Sequence, residues 1–150
     1  MKQVLAFTLL LFGLSLSAAR ADELMMTRVT RPFPEAMNSL QEIIREHGYT
    51  VSRVQRVDVG LTSSGFQTAE YRVVFFGKPD EIHELSRRYP ELIPYLPLNI
   101  VIFAEGDDTL ILTANPNKLA DFFDKPALRA QFGRWEKDMR AIFDAVARSP

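Results

Sequence analysis

The chain has 150 residues, with 18 Lys and Arg against 19 Asp and Glu, a net charge of −1, and no cysteine. A balance this close to neutral argues against nucleic acid or an anionic membrane surface as main partner. The lack of Cys excludes disulfides, a thiolate nucleophile, an attached c-type haem and a lipid-modified Cys.

Lys2 opens a short basic region, an apolar run extends from Val4 to Leu16, and Ala19-Arg20-Ala21 supplies a small-x-small pattern ahead of Asp22. This predicts a cleavable signal peptide over residues 1–21. The run is well short of the roughly 20 apolar residues that a permanent membrane helix needs. The working chain is then one exported domain, residues 22–150, with the bacterial periplasm as its compartment. Cleavage removes Lys2 and Arg20 but no acid, which leaves a net charge of −3. No later segment is long and apolar enough to span a membrane.

Leu24 to Arg31 reads as a first strand, broken by Pro32-Phe33-Pro34. Phe33, Met37, Leu40, Ile44 and His47 then fall at steps of four, three, four and three, which predicts one face of a helix stopped by Gly48. Tyr49 to Val59 reads as a second strand whose apolar phase slips near Ser52 or Arg53, as a bulge would cause. Gly60 to Ala69 is small and polar, a loop or hairpin tip carrying the exposed aromatic Phe66. Glu70 to Phe76 is a third strand.

Asp80 to Tyr89 forms a short helix with acids in its first turn. Pro90 to Pro97 holds three prolines, too many for regular helix or a central strand. Leu98 to Ala104 and Thr109 to Ala114 make a hairpin around Glu105-Gly106-Asp107-Asp108. A helical turn is expected within Asn117 to Phe123. Pro126 opens a long last helix, with Leu128, Phe132, Trp135, Met139, Ile142, Phe143 and Val146 on one stripe. The fold class is therefore α+β, a mainly antiparallel sheet with helices on one face in the order β-α-β-β-(α)-β-β-α.

Strand phase predicts where the chain interacts. Tyr71, Val73 and Phe75, Leu98 to Ala104 in alternation, and Leu110, Leu112 and Ala114 are wholly apolar sets, expected under the helices. The other phase holds Val74, Phe76, Val101, Phe103 and Ile111 among polar residues. It is too apolar for a face left in water. These five, with Phe66, are the candidate binding residues. Three coverings are open: a loop of the chain itself, a homodimer or protein partner, or a small apolar ligand under the Gly60 to Ala69 loop.

Catalytic patterns are sparse. His47 ends a helix beside Gly48, and His83 lies on a short polar helix; neither has a second His at helical spacing, so no metal site is expected. Asp107-Asp108 and Asp80-Glu81 suit a turn and a helix start. Ser63-Ser64-Gly65 lacks a strand–elbow–helix setting, and no phosphate-cradling glycine motif occurs. No cofactor is expected, and an enzyme using His47 or His83 is the least favoured alternative.

Several pieces in order resemble the domain of unknown function 302 family. They are His47-Gly48-Tyr49-Thr50-Val51, Val73-Val74-Phe75-Phe76-Gly77-Lys78-Pro79, Leu96-Pro97-Leu98-Asn99-Ile100-Val101-Ile102 and Thr113-Ala114-Asn115-Pro116. The likeness covers roughly Thr27 to Phe123. It implies a β-α-β4-α sandwich of the TBP-like kind with one helix interpolated, and dimers in some members. Many members carry Asn where this chain has Lys78. The family has no agreed activity, so the resemblance assigns no catalytic residue.

Overall fold

The computed structural model describes residues 23–149, so the leader expected over residues 1–21 lies outside the described residues. Five strands form one sheet: β1 (Leu24–Val29), β2 (Thr50–Arg56), β3 (Tyr71–Gly77), β4 (Leu98–Glu105) and β5 (Asp108–Ala114). Their spatial order is β1-β5-β4-β3-β2, and every neighbouring pair is antiparallel. Four helices join them: α1 (Phe33–Glu46), α2 (Val57–Ser63), α3 (Pro79–Arg88) and α4 (Pro126–Arg148). Two 3-10 turns, Pro90–Tyr95 and Pro116–Asp121, fill the two proline-marked passages.

The long helices form where the apolar periodicity placed them. α1 buries Phe33, Ala36, Met37, Leu40, Ile43 and Ile44. It ends where Gly48 N–H reaches the Arg45 carbonyl and Tyr49 N–H the Ile44 carbonyl. α4 buries the seven residues of its stripe, Leu128 to Val146, against α1, β1 and the second 3-10 turn. Asn115 caps that turn, its side chain accepting from Asn117 N–H at 2.9 Å. The bulge expected in β2 lies between Val51 and Arg53.

The second strand is shorter than its sequence suggested. It ends at Arg56, and Val57–Ser63 winds into α2 rather than extending as strand and loop. The stop is a Schellman motif: Phe66 N–H bonds the Leu61 carbonyl and Gly65 N–H that of Thr62. Gly65 has φ +87°, a left-handed position that favours glycine. Asp58 in the first turn of α2 pairs with Arg72 of β3, tying the helix to the sheet.

The larger correction concerns which side of the sheet is the core. Residues directly opposite each other on neighbouring strands point the same way. Val74 faces Ile100, Phe76 faces Leu98, and Ile102 faces Ile111. Val74, Phe76 and Ile111 therefore lie with the β4 core residues, fully buried beneath α1 and α4. Tyr71, Val73, Phe75, Leu110, Leu112 and Ala114 project from the opposite side. The polar residues that made the buried phase look wet are each satisfied. Thr109 donates to the Arg31 carbonyl at 2.8 Å and Thr113 to the Asn99 carbonyl at 2.7 Å. Arg72 reaches the rim to meet Asp58, with Phe33 under its guanidinium at 5.4 Å.

Candidate interaction surface

The register lays three cross-strand rows on the side away from α1 and α4. The middle row runs Met26, Leu112, Val101, Val73, then Gln55, four aliphatic side chains abreast. The row above it holds Arg28, Leu110, Phe103 and Tyr71. Below, Leu24 stands beside Ala114, and Phe75 stands between Asn99 and Arg53. Met26 is 66% exposed and Leu24 61%. Tyr71, Val73, Phe75, Val101, Phe103 and Leu112 are half-buried, and Leu110 between Arg28 and Phe103 is 8% exposed.

Charge is confined to the rim. Arg28 pairs with Glu105 and, at 3.3 Å, with Asp108 at one corner. Arg53 stands at the diagonally opposite corner, on the edge strand β2. The centre of the face carries no ionisable carboxylate or amine, which is the composition of an interface core rather than of a wetted surface.

Two recesses open onto this face. A hollow of about 360 Å³ is lined by Thr68, Ala69, Glu70, Tyr71, Val101, Phe103 and Leu112, with the Glu70 carboxylate its one charged group. A cleft of about 570 Å³ lies at the other end, where Phe75 and Asn99 meet Tyr95, Pro97, Leu119 and Phe122. Of the six residues expected to bind, Val101 and Phe103 share the uncovered face. Val74, Phe76 and Ile111 do not reach it, and Phe66, 63% exposed, is not among the residues lining the hollow.

The residues read for chemistry stay apart. His47 Nδ1 lies 2.9 Å from the Ile43 carbonyl at the end of α1. His83 is exposed on α3. Ser63 and Ser64 both donate to the Gly60 carbonyl, inside the α2 turn. Among the described residues, no group of three or more His, Asp or Glu could hold a metal ion. None of the described helices is long and apolar enough to cross a membrane.

One polar network had no signature in the sequence, because its members come from three separate elements. Tyr49 donates to Asp138 at 2.6 Å, Arg134 bridges Asp138 and Glu81, and Trp135 Nε1 donates to Glu81 at 3.0 Å. Burial pushes the Tyr49 phenol well above its ordinary value, and the Asp138 carboxylate pushes it further. Lys78 sits 4.7 Å above the Tyr49 ring. The network fastens α3 and the start of β2 to α4, behind the sheet and away from the uncovered face.

A family described as "Domain of unknown function DUF302" matches residues 25–146. The chain belongs to the DUF302 family. Its structure is similar to the crystal structure of an uncharacterized conserved DUF302 protein from Bacillus stearothermophilus, with a TM-score of 0.76 and 21% sequence identity. The match covers 84% of this chain and 99% of that one. At that identity the likeness is one of fold. No curated protein matches the chain.

Proposed function

We propose that this DUF302 chain is an exported, non-catalytic interaction module whose contact surface is the helix-free side of its sheet. One observation carries the reading: the uninterrupted aliphatic row Met26–Leu112–Val101–Val73 lies at the centre of a face no helix covers. Fully covering a large apolar side chain contributes roughly 1.5–3 kcal/mol, so completing the cover of exposed Met26 and half-buried Leu112, Val101 and Val73 is a standing drive to associate. The scattered histidines and the absence of a metal-holding cluster among the described residues give catalysis no comparable support. The basic, apolar and small-x-small sequence ahead of Asp22 supports export to the periplasm.

Because the chain has no native Cys, single-thiol variants test the surface without naming a partner. Met26→Cys should resist maleimide in the intact periplasm and react after the purified protein is diluted. Lys137→Cys, exposed on α4, should react alike in both settings. Equal reactivity of the two variants everywhere removes the contact-surface reading. N-terminal sequencing of the exported protein should begin at Asp22.

A second reading has its own observation. The 360 Å³ hollow beside Ala69 and Phe103 falls within the size range of small-ligand sites, at roughly 300–1,000 Å³. A carrier of a small apolar molecule would retain it there, and native mass spectrometry of protein recovered from the periplasm would show the added mass.

A further inference from the structure

We propose that the cleft of about 570 Å³ between the two proline-marked turns is a binding site for a small organic cation with an apolar body, of the quaternary-ammonium kind. The proposal is independent of the contact-surface reading, because the cleft is formed entirely within one chain.

The walls have a fixed shape. Pro94 and Pro97 mark one of them and Pro116 opens the turn that forms the other. Proline fixes φ, so these walls lose little freedom when a ligand enters. Tyr95 stands at 88° to Phe123 with ring centres 5.6 Å apart, and Phe123 lies 6.0 Å from buried Phe132, so the Tyr95 ring is anchored to the core. Phe122, next to Phe123 in the chain, lines the cleft but is 76% exposed, more than any other large apolar residue among those described. Phe75 adds a third ring beside Asn99. Aromatic rings attract a cation through their negative faces, by about 2–5-fold in affinity for each exposed ring.

Charge selects the same ligand. Glu23 and Asp121 line the cleft and are exposed, and no ion pair engages either among the described residues. The Glu23 carbonyl accepts from Asn115 N–H at 2.8 Å, which holds the start of β1 against the cleft. Lys118 is the only cation of the lining, so carboxylates outnumber ammonium there. An anion would meet that surplus and the negative ring faces together. A bare metal ion would lack ligands, since no group of three or more His, Asp or Glu converges among the described residues. A cation with an apolar body uses both the carboxylates and the rings, and the volume of about 570 Å³ suits a small molecule.

Butyrylcholine and its neutral carbon isostere, 3,3-dimethylbutyl butyrate, share a shape and differ in charge, so they are the probes. In NMR titrations of the purified protein, butyrylcholine should bind about 10-fold or more tightly than the isostere. Its trimethylammonium signal should move upfield as it meets the rings. Phe122→Leu should weaken that binding about 2–5-fold, and Glu23→Gln combined with Asp121→Asn about 5-fold. Raising salt from about 0.05 to about 0.5 M should weaken the cation and spare the isostere. All three substitutions are at exposed positions, and an unchanged Trp135 emission shows that the fold is intact. Equal affinity for the two probes overturns the cation site. So does butyrylcholine binding that both variants leave unchanged, or no binding of butyrylcholine up to about 10 mM.

Discussion

Val73 and Val101 face each other across β3 and β4 on the uncovered side of the sheet, while Val74 and Ile100, one residue along on each strand, face each other inside the core. Burial differs accordingly. Val74 and Ile100 have no exposed surface, and Val73 and Val101 are half-buried. One sheet thus presents two apolar faces, and only one of them is covered by the chain's own helices.

Adjacent residues on β5 separate the two faces by experiment. Ile111 is fully buried under the helices, and Leu112 stands on the uncovered side. Ile111→Ala should cost about 2–5 kcal/mol, the range for truncating a core aliphatic. Leu112→Ala, measured at low concentration, should cost roughly 1 kcal/mol, since only part of that side chain is sheltered. Urea unfolding of both variants checks the order; equal losses would mean the faces are wrongly assigned.

The Tyr49–Asp138 hydrogen bond makes a prediction about alkaline pH. The Tyr49 phenol titrates above its ordinary value of about 10 because burial and Asp138 both disfavour the phenolate. The unfolded chain therefore loses this proton first. The stability that depends on it is complete below about pH 10 and declines as pH rises from there toward the native value. Tyr49→Phe should lower stability by about 0.5–1.5 kcal/mol at pH 7, from the lost hydrogen bond. It should also flatten the decline above about pH 10 relative to the parent chain, in denaturant titrations across that range.

At acid pH the pair to follow is Asp58 and Arg72. Burial raises the Asp58 pKa, but the hydrogen bonds from Arg72 and the Val59 N–H and the charges of Arg72 and Arg56 together outweigh burial and leave it below the usual carboxylate value. A lowered native pKa gives stability that is present above the ordinary carboxylate range, near pH 4, and lost as pH falls through the native value. Asp58→Asn should lower Tm at pH 7, and the difference from the parent should shrink progressively as pH falls below about 4.

Trp135 is the only tryptophan, so its fluorescence reports one place. It is 1% exposed, and its indole N–H is held by Glu81, which also binds Arg134. Glu81→Ala leaves the indole N–H without its acceptor and Arg134 with Asp138 alone, and should cost about 1–3 kcal/mol, with a shifted emission maximum. Glu81→Gln keeps an acceptor for the indole and should retain the parent emission with a smaller loss of stability.

The long helices were legible in the sequence because each buried stripe repeats at one period along one segment: Leu128 through Val146 needed no partner to be read, whereas α2, which buries no residue, left no such stripe. The β2 bulge at Val51/Arg53 was legible for the same reason. Sheet faces were not, because a face is a property of paired strands. Thr109 and Thr113 made the buried phase of β5 look solvated, although their hydroxyls are satisfied by the carbonyls of Arg31 and Asn99. The missing signal lay in the hairpin turn. With Glu105 opposite Asp108, each step back pairs Ala104 with Thr109, Phe103 with Leu110, and Ile102 with Ile111. That register alone puts Leu110 and Leu112 on the side of Phe103 and Val101. Leu24 and Met26 join them only through β1, the last strand in space though the first in the chain. The Tyr49–Asp138–Arg134–Glu81 network spans residues too far apart in sequence for any local pattern to show it.

Thiol labelling in the intact periplasm tests most directly whether the helix-free face is a contact surface. Met26→Cys should be shielded from maleimide there and become reactive once the purified protein is diluted, while Lys137→Cys, exposed on α4, reacts alike in both settings. Equal reactivity of the two thiols in the periplasm and after dilution would contradict burial of the Met26–Leu112–Val101–Val73 row.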